Sequence, residues 1–146
     1  MTDLPHIYNV KTSAQAEGDV TVEGEGLPSL SINSPAQFGG PGNRWSPEML
    51  LVAAMANCVV LSFRAIARAS KFNWNHLSCE VDGTLDQVER VTQFTHFTIR
   101  ATLTVPAGTR EALALRMLQK AEETCFVTNS LKAKPTLDAR IIVASA

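Results

Sequence analysis

SPEMLLVAAMANCVVLSFRAIARASK, residues 46–71, is the stretch whose reading decides the fold. Pro47 suits the first turn of a helix, Ser46 its N-cap, and Glu48 the positive end of its dipole. From Met49 to Phe63 there is no charge, and only Asn57 and Ser62 are polar. A helix that is apolar all the way round must be covered all the way round. A chain of 146 residues struggles to do that alone, so a second copy is expected to help. Beyond Arg64 the pattern becomes amphipathic, and the helix is expected to end near Lys71.

Upstream of this helix, residues 7–34 read as short strands. VTVE (20–23) alternates, turns at Gly24–Gly26, and alternates again through Leu30-Ser31-Ile32. Three glycines and a proline between Phe38 and Asn43 make a loop. Downstream, 77–88 and 91–105 read as two long strands joined by a tight turn at Glu89-Arg90. Pro106-Ala107-Gly108 ends the second. Thr109 is the expected cap of a second helix, with Leu115, Leu118, Ala121 and Cys125 as its apolar stripe. A last strand, 137–144, follows Pro135. Strands, helix, strands, helix, strand is an α+β layout, expected to form one domain over residues 1–146.

The composition narrows the class of partner. Thirteen basic against fourteen acidic side chains give a net charge of -1, no reason to expect nucleic acid or an anionic membrane. Charged residues are only 18% of the chain, which again suggests that much surface is buried against a second subunit. MTDLPHIYNV shows no basic region followed by an apolar run. Met49–Phe63 falls short of the ~18–20 residues of a membrane span. A soluble, cytoplasmic protein is expected.

Cys58, Cys79 and Cys125 are odd in number and widely spaced, which does not suit a disulfide framework. Each also reads as a small buried hydrophobe. Glu48 precedes Cys58 by ten residues, about 15 Å along an unbroken helix, so it meets that thiol only through a bend or a second subunit. Otherwise it is a dipole-stabilising carboxylate. Arg44 reads as a loop cation, and Trp45 either pins the loop or covers a pocket. GGPGNRWS lacks both phosphate-cradle spacings. His76 and Cys79 form HxxC without a second ligand pair at zinc spacing, so no metal is expected.

Two stretches, GGPGNRWSPEMLLVAAMANC (39–58) and AEETCFVTNSL (121–131), resemble the OsmC/Ohr family of thiol peroxidases. In that family a central helix opens with Pro-Glu and carries a cysteine ten residues after the glutamate; a second cysteine ends the next helix. Glu48, Cys58 and Cys125 keep this pattern, and the element order matches along nearly the whole chain. The resemblance implies an OsmC-like fold, with antiparallel sheets packed around a long central helix, in an intertwined homodimer with its active sites at the subunit interface.

It further implies that Cys58 attacks an organic hydroperoxide, that Cys125 resolves the resulting sulfenic acid as a disulfide, and that Glu48 belongs to the activating network. No bound cofactor is implied. An external dithiol restores the thiols, and in the Ohr branch that dithiol is of lipoyl type. The family also places an arginine on an early strand, whereas the only cation here before Arg44 is Lys11. Arg44, four residues before Glu48, is therefore the expected substitute, within reach of a salt bridge across the helix start. The missing early arginine favours a second reading, an OsmC-fold redox sensor or small-molecule-binding protein with little turnover.

Overall fold

The computed structural model describes residues 3–146, and the chain divides into two compact units, Met1–Leu51 and Val52–Ala146. The first holds a three-stranded antiparallel sheet, β1 (Lys11–Ser13), β2 (Val20–Glu23) and β3 (Leu30–Ile32). Thr12 lies opposite Val22, and Thr21 opposite Ser31. The β2–β3 turn closes through the Leu27 amide donating to the Gly24 carbonyl at 3.0 Å. A single 3-10 turn (Ala36–Phe38) then leads into the glycine loop. Gly40 is there because of crowding: a Cβ would stand 1.6 Å from the Ser34 carbonyl oxygen. Trp45 is bridged to Ile32 by backbone, and its carbonyl accepts from the Asn33 amide at 3.0 Å. The loop is thus pinned through its main chain while the indole stays half exposed.

Helix α1 (Pro47–Ala69) starts as expected, with the buried Ser46 hydroxyl accepting from the Met49 amide at 3.1 Å. It ends two residues before Lys71, whose φ of 53° is left-handed. Met55, Val59, Phe63 and Ala67, four apart, form its buried stripe. The opposite face, Asn57, Leu61 and Ala65, is exposed. By length and composition the whole helix, with an 18-residue window of mean hydropathy 2.0, reaches what a membrane span needs, more than the Met49–Phe63 run alone. Phe63 and Ala67 are nevertheless packed into a protein core.

That core belongs to the second unit. Its sheet runs β4 (His76–Val88), β5 (Val91–Val105), β6 (Pro135–Val143), and α2 (Glu111–Glu123) packs on it. Phe63 and Ala67 meet Ala101, Leu103 and Val105 of β5 and Ala114, Leu118 and Ala121 of α2. Phe72 and Trp74 set their rings edge-on to Phe63 at 6.4 and 5.2 Å. Glu89 and Arg90 (φ 50° and 69°) make the tight β4–β5 turn expected at that dipeptide.

Three expectations need correction. The second sheet is mixed: β4 and β5 are antiparallel, but β6 runs parallel to β5, with Phe97 opposite Pro135 and Val105 opposite Val143. Residues 106–134 are long enough for the dozen-residue crossover a parallel pair requires, and they place α2 on one face of the sheet. Arg110, not Thr109, is the N-cap of α2, without a side-chain cap bond, because the Thr109 amide is drawn back to the Pro106 carbonyl. The buried stripe of α2 starts at Ala114, one residue before Leu115, and Cys125 lies beyond the helix end.

Candidate active site

Thr124 closes α2, its hydroxyl donating to the Lys120 carbonyl at 2.8 Å. Cys125 is extended (φ -68°, ψ 117°) and serves as N-cap of a single turn, α3 (Phe126–Asn129). Its sulfur accepts from the Thr128 amide at 3.5 Å and from the Thr128 hydroxyl at 3.1 Å. Cys125 and Thr128 are both buried, while Phe126 between them is 82% exposed. The restart of the chain after α2 is therefore organised around a sulfur, in the role an oxygen usually fills.

The structure brings Cys58 to this turn. Burial raises the Cys58 thiol, but the polar groups facing its sulfur, the Cys125 thiol first and then the Val127 amide, the Ser62 hydroxyl and the Phe126 amide, outweigh it by favouring the thiolate. The net direction is below the ordinary thiol range. Ser62 lies one turn along α1, with Oγ 4.0 Å from the sulfur. Cys125 moves the opposite way, raised first by burial and then by the neighbouring Cys58. Cys79 on β4 is pushed up to about 11, mainly by burial and secondarily by the charge of Cys125. Three free cysteines thus sit in three surroundings, which favour the thiolate at Cys58 and the protonated thiol at Cys125 and Cys79.

The expected loop ion pair has a different partner. Arg44 donates from Nε to Asp19 Oδ2 at 2.8 Å and from Nη1 to the Asn43 carbonyl at 3.2 Å, while Asn33 holds Asp19 Oδ1 at 2.9 Å. Among the described residues it makes no ion pair with Glu48. The carboxylate of Asp19, folded against both donors, outcompetes the neighbour four residues along the chain; its pKa is lowered by Asn33 first and Arg44 second. Glu48 occupies the first turn of α1, as expected, and its Oε1 is buried without a hydrogen-bond partner among the described residues. Among the described residues no cluster of three or more His, Cys, Asp or Glu could hold a metal ion.

Thr128 and Ser62 escape a reading of the sequence. A spacing signal for each was present, Cys125-x-x-Thr128 as a capping pattern and Cys58 to Ser62 as an i,i+4 pair, but neither residue type is distinctive there.

One cysteine thus stands on the long central helix of an α+β chain and another caps the short turn after α2. The chain belongs to the OsmC-like protein family, whose model matches residues 40–140. Its fold is that of an OsmC-like protein of unknown function from Vibrio cholerae (18% identity, TM-score 0.82, covering 92% of this chain and 99% of that one). It is also that of an organic hydroperoxide resistance protein OsmC from Legionella pneumophila (22% identity, TM-score 0.72, 98% and 100%). The uncharacterized protein YmaD of Bacillus subtilis is 24% identical over 135 residues, 90% of each chain.

Proposed function

We propose that this protein is a thiol peroxidase that reduces organic hydroperoxides. The observation that carries the reading is the placement of two free cysteines, Cys58 on α1 and Cys125 as the buried cap of α3, in an OsmC-like chain, with surroundings that favour the thiolate at Cys58 and the thiol at Cys125. The Cys58 thiolate attacks the distal peroxide oxygen; the O–O bond breaks, the alkoxide takes a proton and leaves as alcohol, and Cys58 becomes a sulfenic acid. Cys125, deprotonated, attacks that sulfur, the S–O bond breaks, and water leaves behind a Cys58–Cys125 disulfide. An external dithiol, of which a lipoyl group is one form, returns both thiols. Each methylene of an alkyl peroxide that is buried gains roughly 0.8 kcal/mol, so alkyl hydroperoxides are preferred to hydrogen peroxide.

The working unit in this proposal is a homodimer in the cytoplasm. Ile7, Tyr8, Leu27 and Phe38 in the first unit, and Leu61 and Phe126 in the second, are large apolar side chains left exposed. Surface of this kind favours a second copy. Glu48 joins the activating network there, its Oε1, without a partner among the described residues, meeting a donor. Arg44, anchored by Asp19 through Nε, takes the place of the early arginine as the cation that favours the thiolate.

The test is intact mass and peptide mapping after one equivalent of an alkyl hydroperoxide, with hydrogen peroxide in parallel. Loss of two hydrogens, mapped to Cys58–Cys125 and faster with the alkyl peroxide, is expected. Thiols that stay reduced under both oxidants overturn the reading. The engagement of Arg44 by Asp19 favours the second reading, a sensor or binding protein. Stoichiometric disulfide formation without dithiol-driven turnover would select it.

A further inference from the structure

Within the peroxidase reading, the resolving cysteine needs its own activation. A raised pKa leaves Cys125 protonated at neutral pH, yet only its thiolate attacks a sulfenic acid. The side chain in contact with it is Thr128, which is as buried as Cys125 itself and gives the sulfur both its amide and its hydroxyl proton.

We propose that Thr128 is the positioning residue of the resolving step, its hydroxyl holding the Cys125 sulfur toward Cys58 and stabilising the charge that develops on it. A hydroxyl has one proton, and this one is committed to Cys125 Sγ at 3.1 Å. A bond to a neutral thiol is weak, whereas a bond to a thiolate is charge-assisted. The Thr128 bond therefore strengthens as Cys125 ionises, which lowers the barrier rather than merely holding the ground state. The β-branched side chain is stiff at χ1, so the hydroxyl stays aimed.

The proton that leaves Cys125 departs with the hydroxide displaced from Cys58 as water, and no further oxidant or reductant enters the step.

Thr128→Val keeps shape and amide and removes only the hydroxyl; Thr128→Ser restores it. Rapid quench with a sulfenic-acid trap separates the two half-reactions in the full chain. In T128V the sulfenic acid should form within about twofold of the wild-type rate. Its conversion to disulfide should slow by roughly ten- to a hundredfold, with the pH midpoint of that step moved upward, and T128S should recover both. A second readout needs no peroxide. In the C58S/C79A background, where Cys125 is the sole thiol, thiolate absorbance should titrate at higher pH with T128V than with either Thr128 or the T128S change. T128A carries the same comparisons if T128V does not fold, with melting by circular dichroism as the check. Unchanged resolution and an unchanged Cys125 midpoint in T128V, while the wild type forms its disulfide, overturn the role of Thr128 alone. Wild-type thiols that stay reduced in alkyl peroxide overturn the peroxidase reading and the resolving step with it.

Discussion

Cys58, Cys79 and Cys125 share one residue type and differ only in what surrounds the sulfur, so their reactivities test the site without any substrate. At neutral pH an alkylating reagent should label Cys58 first, Cys125 more slowly and Cys79 last, read by peptide mapping over time. Equal labelling of Cys58 and Cys79 would contradict the opposite directions in which their surroundings move the two thiols. Cys79 also links to stability. Its folded pKa of about 11 lies above the ordinary 9.0, so the unfolded chain loses this proton first. The contribution is present below pH 9 and lost as pH rises toward 11. Cys79→Ala should flatten that part of the melting-temperature profile relative to wild type. Arg44→Ala should slow the reaction of Cys58 with alkyl peroxide in stopped flow, and an unchanged rate removes Arg44 from the site. Cys58 and Cys125 were legible as candidates because a motif marks them, as it marks Glu48. The Asp19 partner of Arg44 was not, since it is set by a turn and a strand register 25 residues away.

At the scale of elements, capping residues and an uncharged run located the long helix, and alternation located the β4–β5 hairpin and its turn, almost to the residue. Alternation is a local property and each strand carries it alone. The direction of β6 is not local. Thr136, Asp138 and Arg140 alternate with Leu137, Ala139 and Ile141 whether the strand runs up or down, and only the packing of α2 onto β5 decides it. The single turn α3 was invisible for a related reason: four residues hold no period, and its cap is a cysteine. Leu118 is where α1, α2 and β5 converge, fully buried. Leu118→Ala should cost about 2–5 kcal/mol by denaturant titration. The Cys125 turn follows α2 directly, so disulfide formation should also slow in L118A. Full stability in that variant would mean the core closes over the gap.

For the whole molecule, the described residues fully bury one stripe of α1 and leave the opposite one open. The buried stripe Met55, Val59, Phe63, Ala67 has its opposite in Asn57, Leu61 and Ala65, and Leu61 is 58% exposed there. Leu61→Glu places a charge in the middle of that face without touching the stripe, so the fold should persist while any second copy is repelled. Sedimentation should then give a mass near 15.8 kDa for L61E and about twice that for the wild type. The peroxide rate discriminates further. If a second chain brings Glu48 or Arg44 to Cys58, the rate should fall as the dimer dissociates and recover at high protein concentration in a milder Leu61→Ala variant. A dissociated L61E that still reacts at the wild-type rate would place the entire reactive site in one chain, on the Cys58, Cys125 and Thr128 contacts alone.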